Sequence, residues 1–304
     1  MSKIISIFRL IRLSNLWIVA LTQVLLGIIL YKYLPDRLLT HWNFALLIVA
    51  TMMIAASGYI VNDIYDYPID RINKPKKLIV SKLLTVRQSW WVYGIFVGLG
   101  AVDAVYLAYT IQDYKQLLIY PLAILMLWAY AKKFKKSFIA GNIVVALYCA
   151  FVPGILWYAE RASYRLLAEK SGDQALFIRN VFLGYALMAF LTTAWREIIK
   201  DMEDLKGDKA YGSQSLPVKY GMPLAQKIAS FLGLVVLGLM IYYGRFLWGA
   251  HRWAALSYLC LPIGLTIFTL FLPMKSLDVK VLHQTSQQIK WIMLLGLGYL
   301  YFLL

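Results

Sequence analysis

Long apolar stretches alternate with short polar segments along most of the chain. Each stretch has roughly 16 to 22 residues, enough to cross a hydrocarbon core of about 30 Å as a helix. The nine predicted spans cover residues 14–34, 43–61, 89–110, 116–131, 139–158, 177–197, 226–246, 253–272 and 289–304. The pattern predicts an all-α, multi-span helical membrane protein. No linker divides it, so residues 1–304 are expected to form a single integral-membrane domain.

Composition supports the membrane assignment. The chain is 61% hydrophobic and 15% charged, whereas a soluble domain is about 45–50% apolar and about 25% charged. These values exclude a soluble globular protein, a disordered protein and a disulfide scaffold. Both cysteines, Cys149 and Cys260, fall within apolar stretches and are expected to be small buried hydrophobic residues.

The charge distribution predicts an orientation. The net charge is +16, and the basic residues lie mostly between the spans, which favours anionic lipid headgroups or an anionic substrate over nucleic acid as partners. Of the 31 Lys and Arg residues, 22 lie at the N-terminus, in the segments after spans two, four, six and eight, or at the span ends that adjoin these segments. Positive residues favour the cytoplasmic side. The N-terminus and these segments are therefore predicted to be cytoplasmic, and the C-terminus to lie outside.

Eight of the 15 acidic residues lie in two of these basic segments, counting Glu197 at the end of the sixth span. In each segment aspartates are spaced three and then four residues apart, and the two sets are 138 residues apart. The first set is Asp63, Asp66 and Asp70, preceded by Asn62, and the second is Asp201, Asp204 and Asp208. Both sets are predicted to lie on the cytoplasmic side.

The spacing predicts that each set shares one helix face, although Pro68 and Gly207 disfavour the last turn of each helix. Clustered carboxylates repel one another unless a cation neutralises them. Oxygen ligands without nearby Cys or His suit Mg²⁺, which typically takes one or two carboxylates, waters and substrate phosphates. The alternative, solvated loop charges paired with neighbouring bases, fits one acidic cluster better than two matched ones.

Bases flank both aspartate sets and could neutralise a diphosphate leaving group. Arg71 and Arg196 are the best candidates because they are next to the aspartates and arginine can bind phosphate oxygens bidentately. Arg12 and Asn15, where the chain enters the first span, could reach the same site. Further candidate bases on this side are Lys74, Lys76, Lys77, Lys132, Lys133, Lys135, Lys136 and Lys200.

Two polar residues lie inside predicted spans. Asn142 in the fifth span is expected to form a hydrogen bond between helices. Asp103 in the third span is a functional candidate by position, and a protonated structural role is equally compatible with the sequence.

Together these motifs resemble the UbiA-type intramembrane prenyltransferases over essentially the whole chain. The first signature of that family, Asn-x-x-x-Asp-x-x-x-Asp, matches Asn62, Asp66 and Asp70. Its second signature, Asp-x-x-x-Asp, matches Asp204 and Asp208. Its early Arg-x-x-Asn is similar to Arg12 and Asn15, and Asp63 and Asp201 are additional members of the two sets.

The resemblance implies nine transmembrane helices around a central cavity that opens at the cytoplasmic face. Mg²⁺ ions would bridge the two aspartate sets to the diphosphate of an isoprenyl donor, and a lipophilic acceptor would attack the allylic cation away from water. The resemblance also implies that Asn62 and the six aspartates are metal ligands. Among these aspartates, the implied catalytic residues are Asp66, Asp70, Asp204 and Asp208. The implied diphosphate ligands are Arg12, Asn15, Arg71, Lys132, Arg196 and Lys200.

Residues 196–208 and 216–221 are most similar to the digeranylgeranylglyceryl phosphate synthase branch of the family. That likeness implies transfer of a geranylgeranyl chain to geranylgeranylglyceryl phosphate. The basic stretch 74–82 departs from the usual pattern, because lysines replace arginines and a Pro and a Gly are missing. The acceptor therefore stays open, and an aromatic quinone precursor such as hydroxybenzoate or dihydroxynaphthoate is the alternative. A transporter is a distant alternative suggested by Asp103. A purely structural membrane protein is disfavoured, because it would have no use for paired aspartate motifs.

Overall fold

The computed structural model describes residues 3–34, 36–76 and 78–303. Within these residues the regular structure is helical, apart from an isolated bridge between Val80 and Leu84. The helices are α1 (Lys3–Leu10), α2 (Leu13–Tyr33), α3 (His41–Asn73), α4 (Val86–Thr110), α5 (Ile119–Lys132), α6 (Ala140–Ala159), α7 (Arg161–Lys170), α8 (Gly172–Glu203), α9 (Leu205–Ala210), α10 (Leu216–Tyr220), α11 (Met222–Gly249), α12 (Trp253–Lys275) and α13 (Val279–Gly298). Short 3₁₀ helices cover Tyr114–Leu118, Phe134–Lys136 and Tyr299–Leu303.

Seven helices are long and apolar enough to cross a bilayer, by length and composition, within the described residues. They are α2, α3, α4, α6, α8, α11 and α12, and they coincide with seven of the nine predicted spans. The span predicted at 116–131 corresponds to α5, which has only 14 residues. The span predicted at 289–304 is in α13, which begins ten residues earlier with a polar segment, and its last residue lies outside the described residues. The count of nine spans and the central cavity therefore stay predictions.

The chain forms two compact units, which are described separately. The first contains the chain up to Lys135 together with Val152–Arg179, and the second contains Lys136–Phe151 and Asn180–Leu304. In the first unit α3 is the central helix and packs against α2, α4 and α5. In the second unit α12 packs against both α11 and α13.

Helix ends in the first unit are fixed by threonine caps. The side chain of Thr40 accepts a hydrogen bond from the backbone N–H of Asn43 and starts α3. Thr85 forms a complete capping box with Gln88 at the start of α4. The expectation that Pro68 interrupts the first motif is wrong, because α3 continues through it to Asn73. The missing N–H of proline removes only one intrahelical hydrogen bond.

Close packing of small against large residues holds each unit together. In the first unit a Cβ on Gly100 would lie 2.7 Å from the Tyr120 ring, so only glycine fits. The Tyr120 hydroxyl donates to the carbonyl of Val97 at 2.9 Å. In the second unit a Cβ on Gly233 would lie 2.8 Å from the ring of the buried Trp195. Glycine thus allows helix backbones to approach aromatic side chains closely.

A buried carboxylate organises the loop between α2 and α3. Glu160, which is fully buried, accepts hydrogen bonds from the backbone N–H groups of Leu38 and Leu39, both at 2.9 Å. Nearby, Arg161 pairs with Asp113 at 2.5 Å. The two hydrogen bonds to Glu160 satisfy backbone donors that the loop leaves without helical partners.

The cysteines are less buried than predicted. Cys260 is exposed and Cys149 is half-buried. The prediction was wrong for Cys260 because an apolar residue of a membrane helix can face lipid instead of a protein core.

Candidate active site

The four predicted metal ligands of the first motif lie on the last three turns of α3. Because the helix is continuous to Asn73, Asn62, Asp66 and Asp70 share one face with four-residue spacing. Asp66 is buried, whereas Asp63 and Asp70 are half-buried. A carboxylate as deep as that of Asp66 needs charged or hydrogen-bonding partners.

Asp66 has two such partners on one oxygen. The Nδ2 amide of Asn62 donates to Oδ2 of Asp66 at 2.6 Å, and the ammonium of Lys135 forms an ion pair with the same oxygen. Burial acts to lower the pKa of Lys135, but attraction to Asp66 outweighs it and holds that pKa above its ordinary value. The ammonium therefore stays charged at any pH used for an enzyme assay.

Asp63 is paired with Arg12. Nη2 of Arg12 lies 2.7 Å from Oδ1 of Asp63, and the guanidinium stacks over the Tyr59 ring at 4.8 Å. The backbone of Arg12 is left-handed, with φ of 50°, which costs a non-glycine residue about 1–3 kcal/mol. Asn15 follows one turn later and its N–H donates to the Arg12 carbonyl at 2.7 Å. Strain of this kind is concentrated at functional positions.

The second aspartate set crosses a helix break. Asp201 lies in the last turn of α8, Asp204 lies between α8 and α9, and Asp208 lies in α9. The break therefore occurs at Asp204, three residues before the Gly207 that the sequence suggested. Backbone hydrogen bonds still join the segments, since the N–H of Asp208 donates to the Asp204 carbonyl at 3.1 Å.

Two side chains outside this motif orient its carboxylates. The Nδ2 amide of Asn142 donates to Oδ2 of Asp201 at 2.8 Å, and this is the predicted hydrogen bond between helices. The hydroxyl of Ser215, which is buried, donates to Oδ2 of Asp208 at 2.9 Å. The N–H of Ser213 also donates to the Asp208 carbonyl at 3.0 Å, so the chain after α9 folds back onto this aspartate.

The predicted bases of α8 converge on one carboxylate. The ammonium of Lys200 donates to both oxygens of Glu197, at 2.8 and 3.0 Å. Nη1 of Arg196 lies 3.4 Å from Oε1 of Glu197, and its Nε donates to the Ser286 carbonyl of α13 at 3.3 Å. Nδ1 of His283 in α13 lies 3.0 Å from Oε1 of Glu203 at the end of α8.

Other predicted residues stand apart from these contacts. Arg71 is exposed in the last turn of α3, and the ammonium of Lys132 lies over the Trp128 ring at 4.5 Å. Both carboxylate oxygens of Asp103 are buried without a hydrogen-bond partner among the described residues. Lys77 lies outside the described residues.

The donor set of the first motif fits a magnesium ion. Oδ1 of Asn62 is buried without a hydrogen-bond partner within the described part of the chain, on the helix face that carries Asp66. No three His, Cys, Asp or Glu side chains of the described residues come together as a complete metal cage. Mg²⁺ does not need one, because it is usually held by one or two carboxylates with waters and substrate phosphates.

Sequence reasoning missed the roles of Lys135 and Ser215. Lys135 is one of four lysines in a short segment, and spacing could not show which of them reaches Asp66. Ser215 is seven residues after Asp208, and only the fold of the intervening turn brings its hydroxyl to the carboxylate. The left-handed Gly212, with φ of 66°, is the one local signal of that turn.

The chain is similar to known proteins over most of its length. The model of the UbiA prenyltransferase family matches residues 12–294. A digeranylgeranylglyceryl phosphate synthase from Thermococcus sibiricus is 34% identical over 226 residues, which are 68% of this chain and 73% of that protein. A protein of the same name from Methanosphaera stadtmanae is 27% identical, over 84% of this chain and 86% of its own length.

Solved structures share the fold. A digeranylgeranylglyceryl phosphate synthase structure has a TM-score of 0.61 at 24% identity, over 99% of this chain and 98% of the other. A UbiA homologue from Archaeoglobus fulgidus, bound to GPP and Mg²⁺, has a TM-score of 0.58 at 17% identity, over 97% of this chain and 99% of the other.

Proposed function

Because the chain belongs to the UbiA prenyltransferase family, we propose that it transfers a geranylgeranyl chain from geranylgeranyl diphosphate to geranylgeranylglyceryl phosphate. The bond between the first carbon of the donor and its diphosphate oxygen breaks, and the same carbon forms an ether bond with the free glycerol hydroxyl. The hydroxyl proton is released and diphosphate leaves. The product is a glyceryl phosphate with two isoprenoid ethers.

The observation that carries the proposal is that carboxylates of both motifs are held by fixed donors. Asp66 is held by Asn62 and Lys135, and Asp208 is held by Ser215. A site is effective when neighbouring groups lock its ligands before substrate arrives. The acceptor is supported by relatives that are 27% and 34% identical to this chain over the aligned residues and are named digeranylgeranylglyceryl phosphate synthases.

In this proposal both motifs bind magnesium. The first contributes Asn62, Asp63, Asp66 and Asp70, and the second contributes Asp201, Asp204 and Asp208. When bound, Mg²⁺ neutralises the diphosphate and so makes it a better leaving group. The chain itself holds the carboxylates in position through Asn62, Asn142 and Ser215.

The proposed ligands of the diphosphate are basic or amide side chains. The set is Arg12, Asn15, Arg71, Lys132, Arg196 and Lys200. Of these, Arg12 already pairs with Asp63, so it acts on the diphosphate while it orients that carboxylate. The apolar helices that adjoin the motifs keep water away from the allylic cation, which water would otherwise quench.

The protein is an integral membrane protein, and we place its N-terminus and both aspartate motifs in the cytoplasm and its C-terminus outside. The support is the excess of Lys and Arg on one side of the predicted spans. Alkaline phosphatase fused to the C-terminus tests this orientation, because that enzyme is active only outside the cytoplasm. An inactive phosphatase fusion with an active cytoplasmic reporter at the same position would contradict it.

The reaction is tested with purified protein in nanodiscs. Geranylgeranyl diphosphate, Mg²⁺ and geranylgeranylglyceryl phosphate are added, and mass spectrometry measures the double-chain ether while released diphosphate is assayed separately. Asp66→Asn is the inactive control, and Lys206→Gln changes an exposed base of the second motif without touching a proposed ligand. We expect Mg²⁺-dependent ether formation that Asp66→Asn abolishes and Lys206→Gln retains.

Two results would refute parts of the proposal. Prenylation of the ring of hydroxybenzoate or dihydroxynaphthoate, without ether formation on the glyceryl phosphate, would refute the acceptor and keep the reaction class. Inactivity with every donor and acceptor, together with ion flux in sealed vesicles, would refute the reaction class.

A further inference from the structure

An apolar groove runs between α11 and α12 in the second unit. It has a volume of about 220 Å³ and is lined by Ser230, Leu234, Leu237, Ile267, Leu270 and Phe271. An apolar cavity of about 150 Å³ can hold benzene, so this groove has room for a longer apolar segment. Both helices are long and apolar enough to cross a membrane.

The groove is open to the bilayer. Leu234 of α11 and Phe271 of α12 line it and are 57% and 55% exposed. Its inner side is closed by Leu270, because a Cβ on Gly233 would lie 2.6 Å from Cδ2 of Leu270. Apolar side chains exposed on a membrane-spanning helix face lipid, so a lipid chain can reach the groove directly.

Lys227 lies at the end of the groove where α11 begins. It is three residues before Ser230 and seven before Leu234, so the three share one face of α11. Lys227 is exposed and forms no ion pair among the described residues. The next 17 residues, 228–244, carry no charge and rise about 26 Å, close to the thickness of a hydrocarbon core. The ammonium of Lys227 is therefore at the level of the lipid headgroups.

Gly238 keeps the other end of the groove open. It lies four residues after Leu234, on the same face of α11. A Cβ on Gly238 would meet no atom of the described residues within 4 Å, so close helix packing, the common reason for glycine in a span, does not explain it. From Lys227 to Gly238 the helix rises about 17 Å, about half of a hydrocarbon core. The face thus has the depth of one lipid leaflet.

We propose that the groove binds one anionic membrane lipid, with a lipid chain between α11 and α12 and the lipid phosphate at the ammonium of Lys227. The apolar walls match the chain, and the cation at headgroup level matches a net negative headgroup. A zwitterionic lipid fits the walls equally well but brings no net charge to Lys227. The site contains none of the proposed metal or diphosphate ligands, and the inference does not depend on the proposed reaction.

Native mass spectrometry of the full-length protein released from detergent tests the inference. The protein is titrated with phosphatidylglycerol and, in parallel, with phosphatidylcholine that has the same chains. We expect one saturable lipid adduct per chain, with phosphatidylglycerol favoured about fivefold, the effect of one lysine near an anionic headgroup. No substrate is present, so the result is independent of whether the protein forms the double-chain ether.

Two variants separate the headgroup from the chain. Lys227→Gln should weaken phosphatidylglycerol binding about fivefold and leave phosphatidylcholine binding unchanged. Gly238→Phe should weaken the binding of both lipids by the same factor. The reason is that a helical side chain leans towards the N-terminal end of its helix, and at position 238 this direction leads into the groove at Leu234.

The chain offers a matched control for each variant. Lys206→Gln removes an exposed base that does not line the groove. Gly98→Phe changes an exposed glycine of α4 whose Cβ position is also surrounded by open space. Both controls should bind the two lipids like the wild type.

Equal binding of the two lipids by the wild type would overturn the inference, because the groove would then accept any lipid. A preference that persists in folded Lys227→Gln, or wild-type binding of both lipids by folded Gly238→Phe, would also overturn it, since the adduct would lie elsewhere. Circular dichroism and size-exclusion chromatography establish folding. Lys227→Gln changes an exposed side chain, so it decides the question even if Gly238→Phe does not fold.

Discussion

The ion pair between Lys135 and Asp66 predicts that magnesium and an internal ammonium compete for the same carboxylate. Lys135 contacts Oδ2 of Asp66, which also accepts the amide of Asn62. Replacing Lys135 by methionine leaves the apolar stem in place and removes the charge. Asp66 then keeps one hydrogen bond and loses its cation.

The structure sets the size of the effect. Removing one partner of a fully buried ion pair costs about 3–5 kcal/mol, whereas an exposed pair is worth about 0–1 kcal/mol. The Lys135 side chain is 36% exposed and that of Asp66 is 9% exposed, so the expected loss is intermediate, about 1–3 kcal/mol. For a chain of this size each kcal/mol lowers the unfolding midpoint by about 2–4 °C.

The assay is thermal unfolding in detergent with and without Mg²⁺, compared with Lys132→Met. Lys132 lies in the same basic segment but contacts Trp128, so its removal controls for loss of one positive charge. We expect Lys135→Met to unfold at a lower temperature without Mg²⁺ and to gain more from Mg²⁺ than the wild type, because bound metal replaces the lost cation. An equal Mg²⁺ response in both variants would refute the competition.

Three further changes test the contacts described above. Ser215→Ala should raise the Mg²⁺ concentration for half-maximal turnover about tenfold by freeing the Asp208 carboxylate, whereas Ser215→Thr keeps the hydroxyl and should retain activity. Glu160→Ala leaves the partly buried N–H of Leu38 and the buried N–H of Leu39 without acceptors. It should lower the unfolding midpoint by several degrees in a thermal scan, since an unpaired buried N–H costs about 1–3 kcal/mol. Gly100→Val places a side chain in the space that the Tyr120 ring occupies. The overpacking should cost about 1–3 kcal/mol and reduce the yield of folded protein in size-exclusion chromatography.

Each of these predictions has a result that contradicts it. Ser215→Ala with a normal Mg²⁺ requirement would show that the serine hydroxyl does not orient Asp208. An unfolding midpoint of Glu160→Ala equal to the wild type would mean that the loop donors find other acceptors. A normal yield of folded Gly100→Val would mean that Tyr120 rotates away at little cost. The control is Gly98→Val, because a Cβ at that position meets open space.

The apolar pattern predicted most of the fold because long hydrophobic runs leave few alternatives in a membrane. Seven predicted spans correspond to helices that could cross a bilayer, and their ends differ from the prediction mostly by a few residues. The first motif was harder, since α3 extends twelve residues beyond the predicted end at residue 61. Hydropathy ends where the apolar side chains end, whereas backbone hydrogen bonds carry the helix on through polar residues and Pro68.

The sequence identified the aspartate motifs of the candidate site but not the side chains that contact them. Aspartate spacing identified both motifs because a helix repeats every 3.6 residues. The partners Lys135, Ser215 and Glu197 depend on contacts between segments distant in sequence or on side-chain rotamers, which no spacing encodes. Asn142 is the exception, because a lone amide in an apolar span has few uses besides a hydrogen bond to a neighbouring helix.

The length of α3 fixes how deeply the protein sits in its membrane. Its 33 residues rise about 50 Å, whereas a hydrocarbon core is about 30 Å thick. The excess is the charged end that carries Asn62 to Asn73, which cannot enter the hydrocarbon without large cost. The motif thus limits how far α3 can enter the bilayer. A thicker bilayer must therefore deform around the protein or tilt α3. Turnover should accordingly follow the acyl-chain length of the host lipid, with an optimum where the apolar part of α3 and the membrane are matched.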